Sequence, residues 1–298
     1  MLQKKLTPKR IFAFFIEKII RLSGVISIIV VLLIFFFLFK EALSLFKIVS
    51  LKEFLLGKNW YPISEPPSFG ILPLILGSFL VTIGAAVISV PLGIACAIYI
   101  GEVAPVRSRE FLKIGVELLA AIPSVVMGFI GMIVLAPLVK KFFNLPTGLS
   151  ALTGSITLAF MAMPTIVSIA EDAITGVPKK YKEAALALGA THWQTIYRVI
   201  IPAASSGIVA AVMLGIGRVI GETMTVMMVT GNSAEITFNI LEPVRTLTAT
   251  IAAEMGETVR GGGHYFALFA IGLVLFIIAF LINLTADIFI RKEKEILQ

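Results

Sequence analysis

The sequence has few charged residues. Only 14% of its 298 residues are Asp, Glu, Lys or Arg, whereas 58% are hydrophobic and the mean hydropathy is +1.00. Soluble domains carry about 25% charged residues, so the composition excludes an ordinary soluble protein. No polar stretch of domain length interrupts the apolar runs. We therefore predict an all-α polytopic membrane protein without a soluble domain.

Several residue types needed for other chemistries are scarce. The single cysteine, Cys96, excludes an internal disulfide. The two histidines, His192 and His264, fall on opposite predicted sides of the membrane, which argues against a histidine metal centre. The Gly-x4-Gly-Lys-Ser/Thr sequence of ATP-binding loops does not occur. The sequence thus predicts no metal, no cofactor and no catalytic residue, and any ATP hydrolysis that drives transport has to occur in a partner.

Six stretches lack charged residues and are long enough for a membrane-spanning helix of about 20 residues. We predict a membrane domain over residues 22–286, between an N-terminal segment 1–21 and a tail 287–298. The first span is aliphatic and aromatic apart from one glycine and two serines, and it is predicted to face lipid. A tilt or a kink is predicted at Pro91 and a break at Pro123. The charge-free stretches are 22–39, 66–101, 118–139, 142–170, 199–217 and 261–286.

The net charge of +7 does not indicate nucleic acid, because the basic residues alternate with the spans. Sixteen of the 25 Lys and Arg residues lie in the two termini and in the second and fourth loops, eight lie in the other loops, and Arg218 lies inside a span. Basic residues accumulate on the cytoplasmic side of a membrane. We therefore expect both termini and the polar segment 177–202 to be cytoplasmic.

The 177–202 segment has the signals of a helix, a turn and a second helix. Pro178 suits a first helical turn and Gly189 suits the position after a helix end, which predicts a helix over 178–188. Thr191 and Gln194 have the spacing of a capping box, which would start a second helix that enters the membrane at Pro202.

The first of these helices is amphipathic. Its small, apolar face comprises Val177, Tyr181, Ala184, Ala185 and Leu188, and lysines lie mostly on the other faces. One interpretation is a helix lying on lipid, which the lysines would suit. The alternative is a helix that binds in the groove of a partner protein.

The spacing within the segment favours the second interpretation. Glu183-Ala184-Ala185, then Gly189 and Val199-x-Ile201-Pro202, resembles the EAA loop of ABC importer permeases, with mild departures at Val199 and Ile201. The resemblance implies that the loop docks in a groove of a cytosolic ATPase. In that case Ala184 and Ala185 permit close approach, Glu183 is a polar anchor, and Gly189 allows the sharp turn.

Arg218 and Glu222 are the charged residues of the fifth span. Spaced i and i+4, they are expected on one helix face, and each would cost about 2.5 to 3.5 kcal/mol at the centre of an isolated membrane helix. They either form an ion pair that fixes packing or line a path in which the Arg218 guanidinium attracts an oxyanion. We assign Arg218, Glu222 and Thr223 to the substrate path. Gly217 and Gly221 form a GxxxG pair and are assigned to helix packing.

Four stretches together resemble the PstC-type permease of bacterial phosphate ABC importers, from about Phe69 to Ala286. They are GRVIGETMTVMMVTGN, AAIPSVVMGFIG, RTLTATIAAEMGE and the 177–202 segment. The resemblance implies a type I importer permease in the bacterial plasma membrane. It also implies a heterodimer with a PstA-like sister permease, two PstB-like ATPase subunits and an external PstS-like phosphate-binding protein.

Three alternatives compete with phosphate import. A permease for another oxyanion, molybdate or sulfate, is the nearest. A passive anion channel would leave the 177–202 segment unexplained. An intramembrane enzyme would need a nucleophile and a base, or a metal cluster, within the spans, where the sequence offers only Arg218 and Glu222. Helix is also predicted over 244–258, either re-entrant or on the outer surface.

Overall fold

The computed structural model describes the backbone of residues 8–296 and the side chains of residues 14–285. Most of this chain is helical. Its helices are α1 (Pro8–Leu45), α2 (Leu51–Leu56), α3 (Leu72–Ile98), α4 (Val106–Ala121), α5 (Ser124–Ile130), α6 (Ala136–Phe143), α7 (Ala151–Thr175), α8 (Lys179–Ala187), α9 (His192–Thr195), α10 (Ile201–Ala203), α11 (Ser205–Ile220), α12 (Met224–Val229), α13 (Leu247–Glu254) and α14 (Gly263–Ile296).

Shorter elements join some of these helices. Two strands, β1 (Trp60–Tyr61) and β2 (Ser68–Phe69), pair antiparallel with Trp60 opposite Phe69. A 3₁₀ turn, Met255–Glu257, follows α13. Three π-helical turns continue α3, α5 and α9, namely Tyr99–Val103, Gly131–Leu135 and Ile196–Ile200.

The prediction of an all-α polytopic membrane protein is confirmed. Within the described residues, five helices are long and apolar enough to cross a membrane, and a bent pair makes a sixth. The bent pair is His192–Ala203 with Ser205–Ile220, and its two halves meet at 70°. The five continuous spans are Phe14–Leu45, Leu72–Val103, Ser124–Phe143, Ala151–Thr175 and Gly263–Thr285.

The third span differs from the prediction over 118–139. Residues 118–121 belong to α4, the backbone is extended at Ile122 and Pro123, and the span begins only at Ser124. Proline disfavours a helical conformation in the residue before it, so the helix has to stop at this point. The predicted break at Pro123 is thus confirmed, but it separates two helices instead of kinking one. At Pro91, by contrast, α3 continues without interruption.

The fifth span is also interrupted. It was predicted as one helix from Pro202 to beyond Glu222, but α11 ends at Ile220 and α12 starts at Met224. Gly221 lies at the end of α11, and glycine is a poor helix former. Arg218 and Glu222 therefore do not occupy one helix.

Helix α1 lies at the periphery. The most apolar window of this span has no buried residue, and side chains such as Phe36 are largely exposed. The helix packs mainly against α14, for example through Phe35 and Phe276, whose ring centroids are 5.3 Å apart. A long apolar surface of this kind is stable in lipid but not in water. The location agrees with the prediction that this span faces lipid.

Helices α3 and α7 form the centre of the fold. They approach closely because Gly93 of α3 faces Ile166 of α7, where a Cβ would lie 2.8 Å from an Ile166 methyl carbon. Three buried clusters follow one another along α3. The first contains Leu74 and Trp60, the second contains Ala85, and the third contains Ala97 and lies beside the 177–202 segment. Trp60 and the 177–202 segment therefore lie at opposite ends of the molecule.

The helix predicted over 244–258 is present as α13 and the 3₁₀ turn that follows it. Its first half is buried, from Leu247 to Thr250, against α12 and α14. This segment is therefore part of the packed fold and does not lie freely on its surface.

No change in the backbone marks the predicted boundaries at residues 21/22 and 286/287, because α1 and α14 continue through them. Residues 1–7 and 297–298, which include Lys4 and Lys5 of the basic N-terminus, lie outside the described residues.

Candidate functional site

The 177–202 segment has the predicted helix-turn-helix form. The first helix, predicted over 178–188, is α8 at Lys179–Ala187, with Pro178 just before it. Gly189 has a φ of +84°, in the left-handed region that glycine adopts without strain. Its N–H donates to the carbonyl oxygen of Leu186 at 3.0 Å. The turn is therefore set by one glycine, as predicted.

The capping box that starts the second helix is also present. The backbone N–H of Gln194 donates to Oγ1 of Thr191 at 3.3 Å, and the backbone N–H of Thr191 donates to Oε1 of Gln194 at 2.8 Å. The two side chains thereby satisfy two backbone donors at the helix start. All of these contacts lie within the segment, so the turn and the start of the second helix do not depend on the membrane helices.

The apolar face of α8 is available to a partner. Leu188 is 89% exposed and Tyr181 is 50% exposed, and Trp193 after the turn is 62% exposed. Ala184 is exposed and Ala185 is half-buried, while Glu183 projects into solvent without an ion pair among the described residues. A contiguous apolar surface with a charged border marks an interaction site.

Arg218 lies in the last turn of α11, with an exposed side chain. Its Nη1 donates to Oγ1 of Thr165 in α7 at 3.3 Å. Within the described residues no carboxylate forms an ion pair with it. The ion pair with Glu222, one of the two interpretations of the sequence, is therefore not formed in this structure, because the chain leaves the helix between the two residues. The guanidinium keeps most of its donors free for another group.

Glu222 lies in the break between α11 and α12. Its Oε1 accepts a hydrogen bond at 3.3 Å from the backbone N–H of Thr225, in the first turn of α12, and its carbonyl oxygen accepts one from Thr248 at 2.7 Å. A carboxylate is favourable at a helix N-terminus. The Thr223 hydroxyl donates to the carbonyl oxygen of Gly221 at 3.2 Å. Glu222 and Thr223 thus stabilise the break that follows Arg218.

The breaks at Pro123 and at Gly221 lie against each other. The hydroxyl of Thr225, which is fully buried, donates to the carbonyl oxygen of Ser124 at 2.9 Å. Gly128 faces Thr225, with room for no more than a hydrogen at its Cα, since a Cβ would be 3.1 Å from the Thr225 Cα. Irregular backbone inside an apolar segment is tolerated where neighbouring groups supply its hydrogen bonds. Arg218 therefore lies next to a break at which the irregular backbone has hydrogen-bond partners.

The GxxxG pair has no packing partner in this chain. A Cβ at Gly217 would meet nothing within 4 Å, and one at Gly221 would meet only carbonyl oxygens of its own helix. The predicted helix–helix contact is therefore absent from the described part of the molecule. The two glycines leave a strip of backbone without side chains next to Arg218, and we call this strip the bare stripe.

Two further charged clusters were not predicted. At the Trp60 end, Glu254 accepts hydrogen bonds from Arg245 at 2.6 Å and from the Trp60 indole at 3.1 Å, and its Oε2 lies 2.8 Å from Nε2 of His264. These residues border a cavity of about 650 Å³. Trp60 and Glu254 are 194 positions apart in sequence, so spacing could not have revealed the cluster.

The second cluster lies near the 177–202 segment. Nζ of Lys113 is 2.6 Å from Oε2 of Glu171, whose side chain is only 3% exposed, and 3.7 Å from Oδ1 of Asp172. The hydrogen bond with Glu171 is the main reason why the pKa of Lys113 lies above its ordinary value. The pair joins α4 to α7. The only sequence signal for it was the position of Glu171, a charged residue directly after a predicted span.

Comparison with known proteins places these features in one family. Residues 89–295 match the family model described as "Binding-protein-dependent transport system inner membrane component". The chain is 46% identical over 233 residues to the "Probable ABC transporter permease protein YqgH" of Bacillus subtilis, covering 78% of this chain and 75% of that protein. It is 39% identical over 249 residues to the "Phosphate transport system permease protein PstC" of Mesorhizobium japonicum, covering 77% and 75%.

Solved structures agree on the fold. The bacterial alginate ABC transporter, in complex with a pentasaccharide-bound periplasmic protein, matches with a TM-score of 0.65 at 15% identity, over 97% of this chain and 98% of that chain. An inward-facing MetNI methionine ABC transporter matches with a TM-score of 0.56 at 19% identity, over 75% and 94%.

Proposed function

This chain belongs to the family of binding-protein-dependent transport system inner membrane components, and on that premise we propose that it forms half of the translocation path for inorganic phosphate. Family membership makes it a multi-pass inner-membrane permease subunit of an ABC importer, and the ATPase activity belongs to a partner subunit. The observation that carries the proposal is Arg218, an exposed guanidinium in an apolar helix with no carboxylate paired to it within the described chain.

An anion that crosses a membrane loses hydration and needs fixed positive potential in exchange. The planar fork of an arginine donates two parallel hydrogen bonds to an oxyanion, which an ammonium group cannot do. The Thr165 hydroxyl, 3.3 Å from the guanidinium, is a second polar group beside Arg218. Glu222 and Thr223 complete the polar lining in our proposal, while they also hold the break behind Arg218.

The names of the relatives favour phosphate over other oxyanions. The Mesorhizobium japonicum protein, and one from Haemophilus influenzae that is 34% identical over 263 residues, are both named phosphate transport system permeases. The name of the Bacillus subtilis relative gives no substrate. Sulfate and molybdate have the same tetrahedral shape, so selectivity has to be measured directly.

We further propose the partners that complete the transporter. A PstA-like sister permease would form the heterodimer, and the bare stripe at Gly217 and Gly221 offers it a surface for close helix packing. Two PstB-like ATPase subunits would bind α8 through Glu183, Ala184 and Ala185, with Gly189 fixing the turn. A PstS-like protein would deliver phosphate from outside, and membrane lipid would cover α1.

Orientation follows from the basic residues. Both termini and the 177–202 segment are cytoplasmic in this proposal, since sixteen Lys and Arg residues lie in those segments and the second loop, and eight lie in the opposite set. A topology reporter fused after Gln298 should be active only in the cytoplasm. Activity restricted to the outside would overturn the orientation.

Uptake of labelled phosphate tests the proposed substrate. In cells that lack other phosphate importers, Arg218→Gln should lower uptake by about tenfold to a hundredfold, the equivalent of a lost hydrogen bond to a charged group. Arg218→Lys should recover only part, because it keeps the charge but loses the fork. Arg260→Gln, which removes an exposed arginine outside the helices, is the matched control and should leave uptake unchanged.

Competition distinguishes the oxyanions. Unlabelled phosphate should compete with the labelled ion, whereas sulfate and molybdate at the same concentration should not. Preferential competition by sulfate or molybdate would reassign the substrate. Full uptake by the Arg218→Gln variant would contradict the proposed role of Arg218.

A further inference from the structure

Helix α8 is joined to the membrane helices by one ion pair. Among the described side chains, Lys182 is the only α8 residue in a salt bridge, and its Nζ contacts the carboxylate of Glu102. The other charged residues of α8, including Lys179 and Glu183, form none. The two paired residues are 80 positions apart in sequence.

Glu102 is held in a buried position. Its side chain is only 10% exposed and it lies in the π-helical turn Tyr99–Val103, which continues α3 towards the 177–202 segment. A carboxylate in such a position is costly unless a cation stays beside it. The pair with Lys182 is therefore a persistent contact, unlike an exposed salt bridge, which contributes little.

A second cation fixes the same turn without competing for the carboxylate. Nε of Arg109, in α4, donates to the carbonyl oxygen of Ile100 at 2.7 Å, and its guanidinium also donates to the carbonyl oxygen of Gly101. Arg109 thus occupies backbone acceptors that the π-turn leaves open. Ile100 and Gly101 are both buried, so the turn is firmly part of the membrane body.

The remaining contact between α8 and this turn is loose. No residue of α8 is buried, and a cavity of about 430 Å³ separates the helix from the turn. Glu102, Arg109, Lys182 and Leu186 are among the residues that border the cavity. A helix over a cavity can shift without compressing a packed core. Among the described side chains, the ion pair is the polar contact by which α8 reaches the turn that continues α3.

We propose that Glu102 is a positioning residue for transport, and that its ion pair with Lys182 makes the end of α3 follow the movement of α8. This rests on the proposed function, in which α8 docks with the ATPase. Helix α3 packs along α7, which carries Thr165 beside Arg218. A shift of the π-helical turn would thus displace α3 and α7 and change the position of Thr165 relative to Arg218.

The test uses the complete transporter, reconstituted in proteoliposomes with its sister permease, ATPase and binding protein. It measures coupling as the number of phosphate ions transported per ATP hydrolysed, and docking as co-purification of the ATPase. Glu102→Gln and Lys182→Met should each lower the number of phosphate ions transported per ATP hydrolysed by about fivefold or more. Co-purification of the ATPase should be unchanged. The double variant Glu102→Lys, Lys182→Glu exchanges the two charges, and it should recover most of the lost coupling because the ion pair forms again. Glu110→Gln, a change of an exposed glutamate on α4, is the matched control.

Each outcome decides the proposal. Reduced coupling in both single variants, with recovery in the exchange, supports it. Unchanged coupling in either single variant overturns it, and so does loss of ATPase co-purification in both, since the pair would then belong to the docking surface or to the fold. If the ATPase does not co-purify with the unaltered complex, the docking role of α8 fails instead, which separates the two failures.

Discussion

The 177–202 segment and the segment around Arg218 both interrupt apolar sequence with polar residues, but they are stabilised in different ways. The first satisfies its turn and its second helix start through Gly189, Thr191 and Gln194, all within six residues. The second depends on distant partners, since Arg218 binds Thr165 and the break at Gly221 is held by Thr248 and by contacts near Ser124.

This difference has a functional consequence. A turn that is stabilised locally keeps its shape when the neighbouring helices shift, which suits a docking element. A segment held by contacts from several helices is rigid only while those helices stay together. Changes at the turn and the capping box of the 177–202 segment should therefore alter partner binding, whereas loss of the hydrogen bonds that hold the two breaks should alter the stability of the whole fold.

The largest expected loss of stability concerns the pair that joins α4 to α7. Lys113→Met leaves the buried Glu171 without its cation and should destabilise the fold by about 2 to 4 kcal/mol, somewhat less than a fully buried pair because Lys113 retains contact with water. The thermal unfolding midpoint of the purified complex should fall clearly. Lys52→Met, at an exposed lysine, is the control. An equal midpoint in the two variants would mean that the pair contributes nothing.

The pH dependence of this pair follows from the raised pKa of Lys113, chiefly caused by its hydrogen bond with Glu171. A cation whose pKa is raised on folding contributes stability that is complete below its ordinary value of 10.5 and is lost as the pH rises through the folded value. The difference in unfolding midpoint between the native protein and Lys113→Met should therefore stay constant around neutral pH and shrink only in strongly alkaline solution.

The next largest effect is expected where the two breaks meet. Thr225→Val keeps the shape of the side chain but removes the hydroxyl that donates to Ser124, which leaves a carbonyl oxygen unsatisfied at a cost of about 1 to 3 kcal/mol. The unfolding midpoint of the complex should fall, and phosphate uptake should fall with it. Thr285→Val, at an exposed threonine whose hydroxyl binds only carbonyls of its own helix, should change neither.

Gly189→Val tests whether the turn of the 177–202 segment is stabilised locally. At a φ of +84°, a residue with a Cβ is strained by about 1 to 2 kcal/mol, so the turn should change shape. We expect ATPase binding to membranes to weaken by about tenfold. The unfolding midpoint should match that of Gly24→Val, a change in the exposed helix α1 where a Cβ also meets nothing within 4 Å. A large loss of thermal stability in the Gly189 variant alone would show that the segment is not independent of the membrane body.

The smallest effect is expected at the capping box. Thr191→Ala removes the acceptor for the N–H of Gln194 and should cost about 1 kcal/mol, whereas Thr191→Ser keeps it. ATPase binding, measured by titration on membranes, should weaken by a few-fold in the alanine variant only. Equal weakening by serine would point to a contact of the threonine methyl group with the partner.

The sequence predicted the local features of this fold well. The turn at Gly189, the capping box at Thr191 and the break at Pro123 depend on neighbouring residues, and the structure confirms them. The six predicted spans correspond to five continuous helices and one bent pair among the described residues. The start of the third span was wrong because hydropathy does not distinguish residues 118–121 in α4 from the span that follows the proline.

Features that depend on tertiary contact were missed or wrong. The i,i+4 spacing of Arg218 and Glu222 predicted a shared face only if the helix continued, and Gly221 ends it. The contact of Lys182 with Glu102 and the cluster around Glu254 join residues far apart in the chain, and no spacing rule applies to them. The roles of Arg218, Glu183 and the GxxxG pair remain predictions, since they concern a substrate and partners.

The most direct test of the whole account is a double dissociation between the two segments. Phosphate uptake and ATPase association are measured side by side for Arg218→Gln and Glu183→Lys. We predict that Arg218→Gln loses uptake while the ATPase still associates, and that Glu183→Lys loses ATPase association and uptake together while the permease remains in the membrane. Loss of ATPase association in the Arg218 variant, or normal association and uptake in the Glu183 variant, would contradict the separation of a substrate path from a docking segment.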